Sequence, residues 1–263
     1  MRGFSNEFED FPDYILKITE QIWESRGLAT RMRDYYHQDV IVRMPSGIST
    51  GEVASTNSTM ATLTEFPDRL LMGEDNQISD EWLIRDNGAI VRQLGVMPWD
   101  WVASERAAGR EPSLFLPETD VVGPYVGTGN DNPWGQKFAD LLKTMMDGQL
   151  SVVSEAYDRA VQIEMPGGAT GHGRGAADAF WLGLKSALPG ATFECHHVIG
   201  REDPLMPPRA AVRWSIDGLH EGWGAFGRPT GRRIYVMGLS HAEFGPRGVR
   251  REWTLYDEVS VWA

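Results

Sequence analysis

The chain is poor in cysteine, in basic residues relative to acidic ones, and in long apolar runs. Its one cysteine, Cys195, excludes an intramolecular disulfide and suits a reducing compartment. The formal net charge of -12 argues against nucleic acid and anionic membrane surfaces as partners, because both attract basic proteins. The start of the chain lacks a basic segment followed by an apolar one, and no apolar run reaches the roughly eighteen residues of a membrane span. We therefore expect a cytoplasmic protein.

Motifs for metals, nucleotides and serine nucleophiles are also missing. The histidines occur at neither HxH nor HExxH spacing, so we expect no metal site. The glycines of Gly171–Gly175 have the spacing GxGxG, which differs from the dinucleotide fingerprint GxGxxG. The segment Gly238–His241 lacks the last glycine of the nucleophile motif GxSxG. A function without a cofactor is therefore expected.

What the sequence does contain is a repeat. Residues 36–45 read YHQDVIVRMP and residues 157–166 read YDRAVQIEMP, so tyrosine, valine, methionine and proline recur at an offset of 121. Further on, EWLIRD at 81–86 recurs as EWTLYD at 252–257, where the offset is 171, larger by 50 residues. Either the first copy has an incomplete sheet or the given sequence omits a segment of the natural chain, and both explanations stay open. We predict a tandem protein of two related domains, since a repeat of this length exceeds a solenoid unit.

Each copy is predicted to open with a helix, a short strand and a second helix. Apolar residues at helical spacing indicate first helices over Phe11–Met32 and Trp134–Val153. The second helices are predicted over Glu52–Thr64 and Ala176–Ala187. In the second copy a run of strands follows: Ala191–Gly200, Ala210–Ile216, Gly222–Phe226, Arg233–Phe244 and Arg250–Trp262.

Helices followed by strands predict an α+β fold, with helices on one face of a curved antiparallel sheet. We assign residues 1–98 to a first, incomplete or degenerate domain, 99–132 to a connector, and 133–263 to a second domain with the active pocket. The connector is rich in glycine, proline and charge, with one short helical stretch at Trp101–Ala108. Two copies in one chain can form an internal pseudo-dimer, and a homo-oligomer stays open as an alternative.

The order of elements, the PTGRR turn at Pro229–Arg233 and the closing EWTLYD strand resemble the SnoaL-like polyketide cyclases of the nuclear transport factor 2-like superfamily. The resemblance implies a cone-shaped barrel around a deep, mostly apolar pocket that binds a small molecule. It implies a cofactor-independent cyclase, carbon–carbon lyase, dehydratase or isomerase acting on an apolar or aromatic carbonyl or hydroxyl compound. Because the superfamily includes several reaction types, the fold leaves the reaction open. The alternative is a non-catalytic module that binds a small molecule or a protein.

The same resemblance implies that Asp257 and His241, on the last two strands, face the pocket as the catalytic pair. An aspartate under apolar walls has a raised pKa and accepts protons, while a neighbouring imidazole can donate to a developing oxyanion. The structural alternative is an ion pair of Asp257 with Arg250 or Arg251. Asp86, the counterpart of Asp257 in the first copy, precedes a turn sequence, and we interpret it as structural.

Further side chains are candidates for the substrate-binding wall of this pocket. For His197, a hydrogen-bonded role in the core is an equally good interpretation. The aromatic and methionine candidates suit an adaptable apolar cavity but also suit a plain core. The complete set is His197, Tyr157, Trp181, Trp214, Trp223, Tyr235 and Met237.

Overall fold

The computed structural model describes residues 8, 11–25, 28–51, 70–72, 78–110 and 112–263, and these belong to two compact units. Unit one comprises Met1–Leu83 and Phe115–Val126, and unit two comprises Ile84–Leu114 and Gly127–Ala263. This division differs from the predicted boundaries at 98 and 132, because residues 84–98 pack within unit two. The predicted helix at Glu52–Thr64 lies outside the described residues.

The described residues of unit one form two α-helices and a four-stranded sheet. The predicted helix over Phe11–Met32 is divided into α1, a π-helical segment at Thr19–Glu24 and α2, so the prediction of one continuous helix is wrong. Buried apolar side chains of α1 and of the π-helical segment, including Ile18 and Ile22, pack into the core of this unit. The elements are α1 (Phe11–Ile18), α2 (Leu28–Tyr35), β1 (Tyr36–Met44), β2 (Gly47–Thr50), β3 (Leu70–Met72) and β4 (Ile78–Trp82). A 3-10 turn at Pro117–Thr119 also belongs to this unit.

Six helices are found in the described part of unit two. The helix α5 begins at Pro133, where the side chain of Asn132 accepts a hydrogen bond from the Trp134 backbone N–H at 3.0 Å. This asparagine cap followed by proline is a common helix start. None of the described helices is both long and apolar enough to cross a membrane. The six are α3 (Asn87–Gln93), α4 (Pro98–Ala107), α5 (Pro133–Met146), α6 (Val152–Ala156), α7 (Arg174–Ala187) and α8 (Glu258–Trp262).

The sheet of unit two has six strands in the order β6-β5-β10-β9-β8-β7. Only the β5–β10 pair is parallel, and α5 and α7 pack on the sheet. The predicted strand at Gly222–Phe226 is wrong, because this glycine-rich segment forms turns, and the last predicted strand ends at Tyr256. The strands are β5 (Tyr157–Met165), β6 (Ala169–His172), β7 (Thr192–Arg201), β8 (Arg209–Leu219), β9 (Arg233–Gly245) and β10 (Gly248–Tyr256). The α+β fold class is confirmed.

The strand pairing of the two units repeats residue by residue. Val42 of β1 pairs with Glu81 of β4, and their counterparts Ile163 of β5 and Glu252 of β10 pair in the same way. Both parallel pairs shift register at the same place, after the tyrosine that begins the first strand. The order β2-β1-β4-β3 in unit one corresponds to β6-β5-β10-β9 in unit two. This shared pairing supports the repeat with offsets 121 and 171, and the described part of unit one contains no counterparts of β8 and β7.

The core of unit two requires a glycine in the middle of β9. Trp214 of β8 pairs directly with Gly238 and is buried to 1% exposure. A Cβ atom at residue 238 would lie 2.1 Å from atoms of the Trp214 ring. The tryptophan ring therefore occupies the space that any side chain at this position would need.

We expect Gly238→Ala to destabilise the protein by about 1–3 kcal/mol, because the added methyl group overpacks the core beneath Trp214. Urea denaturation followed by tryptophan fluorescence measures the change. The matched control is Gly190→Ala, where nothing lies within 4 Å of the added Cβ and a change within about 0.5 kcal/mol is expected. Equal stabilities of the two variants would contradict this account of the core.

Candidate functional site

The interior of unit two contains a cluster of aromatic side chains, which we call the aromatic cluster. Neighbouring rings have centroids 5.2–6.5 Å apart, and most pairs meet edge to face. Trp181 of α7 and Trp214 of β8 are the largest members and are almost completely buried. Such contacts stabilise an apolar interior beyond the burial of surface alone. The members are Phe180, Trp181, Phe193, Trp214 and Tyr256.

A fully buried carboxyl group lies beside this cluster. Glu252 points inward from β10 because strand alternation places it on the same face as Thr254 and Tyr256. It accepts hydrogen bonds from the Tyr157 hydroxyl, from the Trp181 indole N–H at 3.1 Å and from the Thr254 hydroxyl at 2.9 Å. Three donors from three different elements therefore hold one carboxyl group.

Burial raises the pKa of Glu252 to about 7, although the hydrogen bonds from Tyr157, Thr254 and Trp181 act in the opposite direction. The effect of desolvation on the pKa outweighs that of the three hydrogen bonds, because none of the donors carries a charge. The pKa of Tyr157 is raised well above its ordinary value by burial and by Glu252, so the phenol stays protonated. Glu252 is thus the member of the pair that gains and loses a proton near neutral pH.

The hydrogen bonds of Glu252 extend across the sheet. The Thr254 hydroxyl that donates to Glu252 lies 2.7 Å from the Ser240 hydroxyl of β9. The Trp214 indole N–H in turn donates to Ser240 at 2.9 Å. Buried hydrogen bonds in series polarise one another, so this chain orders the polar interior around the carboxyl group.

Asp257, the predicted catalytic base, lies just beyond β10 and caps α8. One carboxylate oxygen accepts from the Val259 backbone N–H at 3.0 Å, and the other accepts from the Asn87 side chain at 2.7 Å. Burial, mainly, raises the pKa of Asp257 to about 7. Arg250, one of the two arginines considered as an ion-pair partner of Asp257, pairs with Glu243 instead. Asp257 is therefore a buried, titratable group with a clear structural task.

The repeated aspartate has the same task in α3. Asp86, which also immediately precedes a helix, accepts from the Ala89 backbone N–H at 2.8 Å. Its second oxygen accepts from the Gly167 backbone N–H at 2.6 Å. The interpretation of Asp86 as structural agrees with these contacts. Capping explains why an aspartate recurs at this position of both copies.

His241 does not lie beside Asp257. It is directly opposite Trp253 in the β9–β10 pair, whereas Tyr256, the residue before Asp257, is opposite Gly238. Along β10, Trp253 and Tyr256 are three residues apart, which corresponds to about 10 Å of strand. Alternation also sends His241 to the sheet face opposite Ser240. The expected proximity of the pair is therefore wrong, although no observation tests a catalytic role for either residue.

The predicted pocket-wall residues fall into three groups. Tyr157, Trp181 and Trp214 are buried in the interior of unit two. His197, Tyr235 and Met237 alternate with core residues and so belong to the opposite face of the sheet, together with His241. Trp223 lies in the turns after β8 and is 71% exposed. The seven therefore do not form one wall.

Glu252 was missed as a candidate, although two signals mark it. The first is that the glutamate recurs in both copies, as Glu81 and Glu252, and both are buried. The second is alternation, which places Glu252 with Tyr256 and opposite to Trp253. In the motif EWTLYD, the predicted catalytic residue is the last one, Asp257, whereas the first one, Glu252, accepts the hydrogen bonds in the interior.

No metal centre is indicated in the described part of the chain, where no three histidine, cysteine, aspartate or glutamate side chains are arranged to hold an ion.

Comparison with known families identifies residues 138–249 as a match to the model of the SnoaL-like domain. The match extends from α5 into β10 and confirms the resemblance for the second copy. No curated protein sequence matches the chain significantly.

Several solved structures are similar to about half of this chain. A SnoaL-like protein from Jannaschia sp. CCS1 has 17% identity and a TM-score of 0.42, with 49% of this chain and 86% of that chain covered. IdmH from Streptomyces antibioticus has 19% identity and a TM-score of 0.41, with 49% of this chain and 95% of that chain covered. Bal32a, from a soil-derived mobile gene cassette, has 16% identity and a TM-score of 0.39, with 51% and 96% covered.

We expect the free energy of unfolding to decrease as the pH rises from 5 to 8. The pKa of Glu252 is raised from 4.5 to about 7 on folding, so its contribution is present below the unfolded pKa and is lost as the pH rises through the folded one. The loss from this group is about 3 kcal/mol at most. Asp257 titrates with the same sign. Urea titrations at several pH values measure the slope.

The variants Glu252→Gln and Asp257→Asn should each flatten this pH dependence, and the double variant should flatten it most. Each amide retains a carbonyl acceptor for the buried donors but removes the titrating proton. A wild-type slope that persists unchanged in Glu252→Gln would show that this carboxyl group does not titrate between pH 5 and 8.

Proposed function

We propose that unit two is a cofactor-independent acid/base enzyme in which Glu252 transfers a proton to or from a small, largely apolar carbonyl or hydroxyl compound. The observation that carries the proposal is the Glu252 carboxyl group, buried next to the aromatic cluster and hydrogen-bonded to Tyr157 and Trp181. The SnoaL-like domain match supports a role of the cyclase or isomerase type. The finer choice among cyclisation, carbon–carbon cleavage, dehydration and isomerisation is left to experiment.

In the proposed step, the Glu252 carboxylate removes a proton from the carbon next to a carbonyl group. The electron pair of that C–H bond moves into the carbonyl, and the oxygen becomes an enolate. Hydroxyl and indole donors such as those of Tyr157 and Trp181 would stabilise this charge in an interior that excludes water. Protonation of the enolate at a different carbon completes an isomerisation. Attack of the enolate carbon on a second carbonyl group closes a ring. A pKa near 7 suits Glu252 to both directions of transfer.

A substrate must displace aromatic side chains to reach this carboxyl group. Glu252, Tyr157 and Trp181 all have 0% exposure. Two members of the aromatic cluster, Phe180 and Phe193, are only partly buried. Phe180 packs on Trp181, which donates to Glu252, so rotation of Phe180 is the proposed route to the carboxyl group. The need for such a movement favours a flat, apolar molecule that can take the place of a ring.

Two alternatives rest on specific observations. Asp257 is a second buried carboxyl group with a pKa of about 7, as the sequence led us to expect of a catalytic base. A non-catalytic role is favoured by the three internal donors to Glu252, since such a saturated carboxyl group can simply stabilise the core. One set of variants separates all three functions.

We expect the wild-type protein to exchange the α-hydrogens of 2-tetralone, a bicyclic aromatic ketone, for deuterium faster than buffer does. Glu252→Gln should lower this catalysed rate by at least about a hundredfold, since a positioned acid/base group contributes 10²–10⁴. Asp257→Asn should retain most of the rate because Asp257 caps a helix. Proton NMR in deuterium oxide measures the exchange, and circular dichroism verifies the fold.

Tyr157→Phe should lower the rate less than Glu252→Gln, since one donor is lost and the carboxyl group stays. Loss of activity in Asp257→Asn with a normal rate in Glu252→Gln would transfer the assignment to Asp257. A wild-type rate equal to that of buffer would favour the non-catalytic alternative.

A further inference from the structure

Unit two contains a cavity of about 670 Å³ that the Glu252 site does not use. Four segments line it, namely α3 through Arg92, α4 through Trp99, the turn Gly224–Thr230, and α8 through Glu258 and Trp262. The volume is within the range of small-molecule sites, which is about 300–1,000 Å³. Glu252 and Trp181 are not among its lining residues.

Aromatic rings form much of the cavity wall. The rings of Trp99 and Trp262 have centroids 5.6 Å apart at an angle of 67°, and Phe226 lines the cavity from the turn. Trp99 is 41% exposed, which is a large apolar surface for a tryptophan beside a cavity. Exposed indole faces of this kind stack on flat aromatic molecules.

The charged groups at the cavity leave one positive charge unbalanced. Arg92 and Glu258 form an ion pair at 2.6 Å and neutralise each other. Arg228, also at the cavity, forms no ion pair or side-chain hydrogen bond within the described part of the chain. Arg228 is exposed, so its guanidinium group is accessible to a ligand in the cavity. Guanidinium groups bind carboxylates through two parallel hydrogen bonds.

A buried histidine with an unused ring nitrogen lies behind the aromatic wall. His220 is 0% exposed, and its ring centroid is 5.9 Å from Phe226 and 6.0 Å from Trp262. Its Nδ1 lies 3.3 Å from the hydroxyl of Thr230, a residue that lines the cavity. Its Nε2 is buried and has no hydrogen-bond partner in the described residues. Because His220 does not line the cavity, it supports the aromatic wall from behind and does not contact the ligand.

We propose that this cavity is a second ligand site and that it binds a planar aromatic carboxylate. The ligand ring stacks on Trp99 and meets Trp262 edge to face, because the two indole planes are inclined at 67°. The ligand carboxylate pairs with Arg228. The lining residues Gly224–Thr230 lie within the matched residues 138–249, whereas Arg92, Trp99, Glu258 and Trp262 lie outside them, so the matched segment alone does not complete the site. It is formed only because α3 and α4 pack against α8.

The test uses 2-naphthoate as the probe and measures its binding by isothermal titration calorimetry and by quenching of tryptophan fluorescence. Arg228→Ala should weaken binding about tenfold or more, because a charge-assisted hydrogen bond is lost. The matched control is Arg232→Ala, which removes an arginine four residues away that does not line the cavity. Naphthalene-2-carboxamide, a neutral isostere, should bind the wild type about as weakly as naphthoate binds Arg228→Ala.

Trp99→Ala should also weaken naphthoate binding, whereas Glu252→Gln should leave it unchanged. The result for Glu252→Gln tests the second site independently of the proposed enzyme function, so one proposal can be wrong while the other holds. The proposal is overturned if the wild type does not bind 2-naphthoate, if Arg228→Ala and Arg232→Ala bind it equally, or if Glu252→Gln abolishes binding.

Discussion

The burial of one carboxyl group, that of Glu252, is the constraint around which the interior of unit two is built. A carboxyl group removed from water must find donors, and here they come from β5, α7 and β10 itself. Its neighbour Thr254 connects it to Ser240 and Trp214, so the polar interior and the aromatic cluster are joined. The same desolvation that demands these donors raises the pKa towards neutrality, and structure and proposed chemistry therefore share one cause.

The repeated motif separates two tasks that acidic residues perform in this chain. Glu81 and Glu252 are buried on the closing strands, whereas Asp86 and Asp257 follow those strands and cap helices. Both tasks bury carboxyl groups, and burial alone does not reveal which one transfers protons. The difference is in the surroundings, because Glu252 lies beside the aromatic cluster and Asp257 is held by a helix terminus and Asn87.

Unit two therefore presents two environments of opposite character. The interior around Glu252 is closed, aromatic and free of positive charge among its hydrogen-bonding partners. The cavity beside α8 is open, and arginine side chains contribute to its lining. A neutral ketone suits the first and a carboxylate suits the second. The helices α3 and α4 precede residue 138 and provide Arg92 and Trp99, so the second environment includes residues of unit two that lie outside the matched domain.

The amino-acid sequence by itself determined the repeat with its offsets of 121 and 171, the opening of the second copy by helix, strand and helix, and the alternation that groups Glu252 with Thr254 and Tyr256. These features are local or periodic, and a pattern of residues is enough to show them. Only the tertiary structure decided which face of β9 and β10 is interior, and hence that His241 and Asp257 are apart. It also decided that Asn87 contacts Asp257, 170 residues away. The alternation of side chains along a strand defines its two faces. Which face becomes the interior depends on packing between segments that are distant in the sequence, and residue spacing does not reveal that packing.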